Sequence, residues 1–303
     1  MRDSINGYLE SLKVRHYAAA SVQRVLDGLK VFECYLALRG LADLREVTRE
    51  TVSDYQQWLF EQDYSVSTRQ GYLSGIRGFF AHLVATDAVF LNPCDGMTLP
   101  RRPDRLPKNV LTPEEVRRIL NAPDTQTPKG LRDRAILEML YSTGLRAREM
   151  WALTVQDVDW RNGFVRVNKG KFSKDRVVPL GRKACDYLRE YLQRIRAEWA
   201  RAAREKGRDD RALWLSSGRR HQPMTQPAIA LVPRDAARRA GVTKPARPHV
   251  WRHTCATHMV SNGSNIVYVQ RLLGHRSLET TQVYTRVAVP ELKATHRKKH
   301  PRS

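Results

Sequence analysis

Arg146, Lys171, His249, Arg252, His275 and Tyr284 have the residue types and settings to do chemistry together. Five are cationic or can become so, and the sixth is a phenol. Cations of this kind hold a phosphodiester by its charged oxygens, and a phenol can attack its phosphorus. Arg146 stands just past Gly144, where a helix is expected to begin. A helix start presents free N–H groups and a positive dipole end to an anion, and an arginine fork can bind two oxygens at once. His249 and Arg252 are three residues apart, directly after Pro248. On a helix that spacing puts an imidazole and a guanidinium on one face. His253 lies near the same face at i+4, but a metal site there needs a third ligand, and none is apparent nearby in the sequence.

The charge is unevenly placed. The 303 residues carry a formal net charge of +22. Residues 1–100 hold 10 Lys/Arg against 12 Asp/Glu, whereas residues 101–303 hold 43 against 19. All the excess lies in the part that carries the six residues. Such a field favours a polyanion, and nucleic acid is the default partner. Four scattered cysteines (Cys34, Cys94, Cys185, Cys255) form no CxxC pair, so they read as reduced packing residues rather than zinc ligands. No apolar run approaches the ~18 residues that a membrane helix needs. The start, Met1-Arg2-Asp3-Ser4-Ile5, lacks the apolar stretch of a secretory signal. These features predict a cytoplasmic protein that has no membrane partner.

Two domains must position the residues. Residues 1–91 read as wholly helical. Val22, Val25, Leu26, Leu29, Phe32 and Leu36 recur at helical spacing. A second helix fits residues 51–60, with Val52, Tyr55 and Leu59 on one side. A third fits residues 67–84, with Leu73, Ile76, Phe79, Phe80 and Leu83 inward and Thr68, Arg69, Tyr72 and Arg77 on the other face. Residues 92–109 contain Pro93, Pro100, Pro103 and Pro107 with Arg101, Arg102, Arg105 and Lys108, which reads as a basic linker. The second domain, 110–303, opens at Thr112-Pro113 with Glu115 completing a capping box. Helices are expected around 131–142 and 146–153. Phe164-Val165-Arg166-Val167 and Arg176-Val177-Val178-Pro179-Leu180 read as strands, with Asn162-Gly163 a turn before the first. Lys171 falls in the turn between them. A long charged helix is expected over 182–205, and mostly helix thereafter, broken at Gly263 and Gly274.

Five runs carry a resemblance. They are Thr143-Gly144-Leu145-Arg146-Ala147-Arg148-Glu149, Gly170-Lys171-Phe172-Ser173-Lys174-Asp175-Arg176, His249-Val250-Trp251-Arg252-His253, Leu273-Gly274-His275, and the stretch from His275 to Tyr284. In order and spacing they resemble the tyrosine recombinase (phage integrase) family, most closely its compact Xer-like members. The likeness is strong over about residues 110 to 290 and looser over the first hundred. It implies a mainly α fold with a small β-sheet: a two-domain DNA clamp, with a helical core-binding domain and an α+β catalytic domain. It supplies Tyr284 as the nucleophile, which periodicity alone does not single out. It implies that Arg146 and Arg252 bind the phosphate, that His249 is an acid/base, that His275 bonds a phosphate oxygen, and that Lys171 protonates the leaving hydroxyl. Lys169 is the alternative lysine, and Phe172 stands where the family commonly has glycine. Thr68, Arg69, Arg77, Arg101 and Arg102 become candidate DNA contacts. The resemblance further implies metal-free and ATP-free strand exchange with no cofactor. The partner is double-stranded DNA bearing a recombination site, bound by a homo- or hetero-tetramer in a prokaryotic cytoplasm. A second recombinase or accessory protein stays open, as does docking of the basic tail, 291–303, on a neighbour. A type IB-like topoisomerase and a non-catalytic site-binding protein of the same fold are the alternatives.

Overall fold

The computed structural model describes residues 1–101, 109–168, 175–208, 211–218 and 220–274. The chain divides into two compact units, Met1–Asp104 and Arg105–Ser303.

The first unit is four helices, α1 (Arg2–Val14), α2 (Ala19–Leu38), α3 (Arg49–Glu61) and α4 (Val66–Ala85). Thr48 and Ser65 cap α3 and α4, their hydroxyls accepting the N–H groups of Thr51 and Thr68 at 3.2 Å each. The apolar faces expected from the sequence all point inward: Leu29, Phe32, Tyr55, Leu59, Ile76, Phe79 and Phe80 have no solvent exposure. Phe32 sits edge-on to Tyr55 with ring centroids 4.9 Å apart. The approach of α2 to α4 needs Gly28, because a Cβ there would lie 2.8 Å from the Tyr72 ring. The sequence did not single out α1, which adds Ile5, Tyr8, Leu9 and Leu12 to this core. Residues 94–100, read from sequence as linker, lie back on the helices. Gln56 Nε2 donates to the Thr98 carbonyl at 3.0 Å, Gln70 Nε2 donates to the Pro100 carbonyl at 2.7 Å, and Cys94 is buried.

The second unit is built round α6 (Pro128–Thr143), which is buried on almost every side. Against it pack α8 (Arg182–Glu190), α10 (Gln226–Arg239) and α11 (Pro248–Ser261). The unit begins with α5 (Pro113–Asn121), capped as expected by Thr112 and Glu115. A short α7 (Ala147–Ala152) leads into a three-stranded antiparallel sheet of order β1-β2-β3: β1 (Val158–Asp159), β2 (Phe164–Val167) and β3 (Arg176–Pro179). Val167 pairs with Arg176 and Phe164 with Pro179. Alternation buries Val165, Val167 and Val178. The first strand was not foreseen, since two residues carry too little pattern to be read. The long charged helix is α8, a π-helical stretch over Tyr191–Arg196, and α9 (Ala197–Arg204). Buried Tyr191 in that stretch donates its hydroxyl to the Leu213 carbonyl at 3.2 Å. Helix α12 (Ile266–Leu273) closes the described part, ending on left-handed Gly274 at φ 65°.

Candidate active site

The turn between α6 and α7 is where the site starts. Gly144 ends α6 in a left-handed conformation, φ 59°. A Cβ on it would also meet Leu273 Cδ2 at 2.8 Å, so both backbone and space call for glycine. The next residue, Leu145, is fully buried and pins the turn. Arg146 then sits at the cap of α7 in extended conformation, φ −71°, ψ 152°. The sequence reading gave this helix start free N–H groups for an anion. In the structure one of these, the Arg146 N–H, is taken by Glu149 Oε2 at 2.9 Å, and Arg146 Nη1 donates to Glu149 Oε1 at 2.9 Å.

Glu149 ends the run that begins at Thr143. It is 8 % exposed and accepts from a second arginine, Arg176 of β3, through Nη1 at 3.0 Å and Nη2 at 2.9 Å. Burial pushes the Glu149 carboxyl up, but the bonds and charges of Arg176 and Arg146 outweigh it and hold the group at about 2. Its sequence signal was present, since an acid three residues past a cap completes a capping box. The pairing of Arg176 had none, because its partner lies 27 residues away.

Arg252 and His249 come from α11. Arg252 is 6 % exposed; Nη1 donates to the Gly144 carbonyl at 2.8 Å and Nη2 to the Leu273 carbonyl at 2.6 Å. One guanidinium thus joins the ends of α6 and α12. Three residues earlier, as the spacing requires, His249 stands on the same side and is solvent-exposed. Arg146, His249 and Arg252 line one cleft of about 450 Å³, together with Arg234 and Arg247. No carboxylate lines it among the described residues. Partial burial of the ring, and then the neighbouring Arg247 charge, lower the pKa of His249, so its ring is neutral at neutral pH and can accept a proton. His253 is not a cleft residue. Its ring stands 6.3 Å from that of His249, and burial first, then His249 and Arg252, lower its pKa. Among the described residues no group of three His, Cys, Asp or Glu could hold a metal ion.

Lys171 (with Lys169), His275 and Tyr284 lie outside the described residues. Of the candidate DNA contacts, Thr68 bonds Ser65 at 2.9 Å in the cap of α4, and the Arg69 guanidinium lies 5.0 Å over the Phe60 ring. Half-buried Arg77 donates to the Met97 carbonyl, which gives it a task inside the helical unit. Arg101 is exposed, and Arg102 lies outside the described residues.

Residues 109–291 match the model of the phage integrase family, and residues 5–87 match that of the phage integrase N-terminal SAM-like domain. Among curated proteins, tyrosine recombinase XerD of Pseudomonas putida is 39% identical over 276 residues, covering 91% of this chain and 89% of its own. Tyrosine recombinase XerC 2 of Ralstonia nicotianae is 35% identical over 303 residues, covering 98% and 85%. Among solved structures, XerH site-specific recombinase bound to a palindromic difH substrate in a post-cleavage complex shares the fold. Its TM-score is 0.72 at 21% identity, over 95% of this chain and 83% of that one.

Proposed function

The chain belongs to the phage integrase family of tyrosine recombinases, and from that premise we propose how it acts as a site-specific DNA recombinase. It cuts and rejoins DNA strands through a covalent 3′-phosphotyrosine. The observation that carries the reading is the convergence of Arg146, His249 and Arg252 on one cleft without a carboxylate among its described lining residues. A phosphodiester repels nucleophiles by its own charge. Two guanidiniums held in place before the substrate arrives stabilise the charge that builds in the pentacoordinate transition state.

Tyr284 attacks phosphorus. Its phenolic proton passes to neutral His249, the Tyr284 oxygen–phosphorus bond forms, and the bond to the 5′ oxygen breaks. Lys171 gives the leaving 5′ oxygen its proton, and His275 donates a hydrogen bond to a non-bridging oxygen. The energy of the broken bond stays in the phosphotyrosine, so a 5′-hydroxyl from a second strand reverses the step without ATP. Exchange between two duplexes cuts four strands, which calls for four copies of the site and hence a tetramer on DNA, of one recombinase or two. The helical unit adds a DNA contact through Arg69, and the linker adds one through exposed Arg101. DNA as substrate supports action in the cytoplasm on the nucleoid.

The test is covalent capture. Sequencing DNA ends trapped on the protein in cells gives its site, and a nicked suicide duplex carrying that site then yields a covalent protein–DNA band. Tyr284→Phe abolishes the band and leaves binding intact. A band that persists in Tyr284→Phe refutes the nucleophile.

A further inference from the structure

Arg176 has no part in the chemistry above, yet it bonds both the carboxylate that holds Arg146 and the last turn of α12. It opens β3, five residues past Lys171. Its Nη1 and Nη2 grip both oxygens of Glu149, the carboxylate that holds Arg146 by side chain and backbone. Its Nε donates to the Leu272 carbonyl at 3.2 Å, three residues before His275. The next carbonyl, that of Leu273, accepts from Arg252. Gly274 leaves room for this arrangement: a Cβ there would stand 3.2 Å from Arg176 Nε and 3.3 Å from its Cζ. The Arg176 side chain is 15% exposed, so these bonds form largely out of water.

We propose that Arg176 is a positioning residue for strand cleavage, a latch that fixes Arg146, the lysine-bearing hairpin and the end of α12 to one another through Glu149 and the Leu272 carbonyl. The inference rests on the strand-cleavage reading above. Two parallel N–H···O bonds to a carboxylate set an orientation as well as a distance, which a lysine ammonium cannot do. A third bond from the same planar group extends that orientation to α12. Misplacing a catalytic group by ~1 Å can cost about 10²-fold in rate, so a latch remote from phosphorus is read in the chemical step.

The experiment compares single-turnover formation of the covalent adduct on the suicide duplex with equilibrium binding of the same duplex. Arg176→Gln lowers the adduct rate by about 10²-fold while binding holds. It also changes the pH profile. Among the described residues, the charged groups facing Glu149 are Arg176 from β3 and Arg146 at the cap of α7. Without Arg176, burial lifts the Glu149 carboxyl, and Arg176→Gln gains an acid limb in addition to the one set by His249. The Glu149→Gln/Arg176→Gln double variant, with nothing to titrate there, lacks that limb. Arg176→Lys keeps the charge but not the fork, so it cleaves slowly without the new limb. If Arg176→Gln does not fold, Arg176→Lys carries the test. A wild-type rate in any of these variants overturns the latch, as does a rate lost in proportion to binding with no additional acid limb in Arg176→Gln. If wild type itself forms no adduct, the cleavage reading falls, and the latch with it.

Discussion

Replacing Glu149 by glutamine removes the one anion between two guanidiniums, and the structure sets how much that costs. The carboxyl is held at about 2 against an ordinary 4.5. At ~1.4 kcal/mol per pH unit, that difference is worth about 3 kcal/mol of folding stability. The sign follows from the direction. A depressed folded pKa gives stability that is fully present above 4.5 and lost as pH falls towards about 2. Glutamine does not titrate, so the gap between wild type and Glu149→Gln should be flat at neutral pH and close over that acid window. Hydrogen exchange of the amides of α6, the helix at the centre of the catalytic unit, reads the gap without mixing in the helical unit. After correction for intrinsic rates, α6 in Glu149→Gln should exchange on the order of 10²-fold faster at neutral pH. A gap below about 1 kcal/mol, the size of an exposed pair, would refute the reasoning. A gap that does not narrow with acid would refute it equally.

Arg252→Ala should slow cleavage by about 10²–10³-fold with little loss of DNA affinity; equal losses in adduct rate and binding would make Arg252 an ordinary backbone contact. Arg247→Ser removes a charge that lowers the pKa of His249, so that pKa rises. A base works above its pKa, so the acid limb of cleavage should move to higher pH; an unmoved limb refutes His249 as the base. Gly144→Ala forces a Cβ to 2.8 Å from Leu273 at φ +59°, whereas Gly40→Ala, at φ +70°, meets nothing within 4 Å. Thermal unfolding should show a clearly larger loss for Gly144→Ala, and equal losses would mean that the close approach of the turn to α12 costs nothing.

The parts of this protein legible in its sequence are those fixed by local pattern. Leu73, Ile76, Phe79, Phe80 and Leu83 define one buried stripe of α4 because a helix repeats every 3.6 residues, and the structure buries all five. Thr112, Pro113 and Glu115 start α5 through bonds that span three residues. The three-residue spacing of His249 and Arg252 puts both on the same cleft. What escaped is what depends on distance along the chain. Arg176 finds Glu149 only after β3 and α7 are assembled, and Arg252 finds the Gly144 carbonyl 108 residues away. The short strand β1 escaped for another reason: its two residues are held in place by pairing with β2 rather than by any pattern of their own.

The anchoring of the two cleft arginines, Arg146 and Arg252, follows one electrostatic logic. A phosphodiester must be met by positive charge that is fixed in place yet not already neutralised. Arg252 is oriented by the carbonyls of Gly144 and Leu273, whose dipoles steer a guanidinium without cancelling its charge. Arg146 is held by a carboxylate, which would cancel its charge if the pair stood alone. Arg176 prevents that, because it shares the same carboxylate and leaves the trio with one net positive charge. Burying Glu149 is tolerated because four hydrogen bonds and charges from two sides offset its desolvation. The arrangement therefore positions Arg146 as rigidly as a salt bridge would, while the cleft keeps the charge that a phosphate requires. Deleting Arg176 alone removes both properties at once: the trio becomes a neutral pair and the carboxylate loses its orientation. Its loss should therefore register in the chemical step before it registers in the fold.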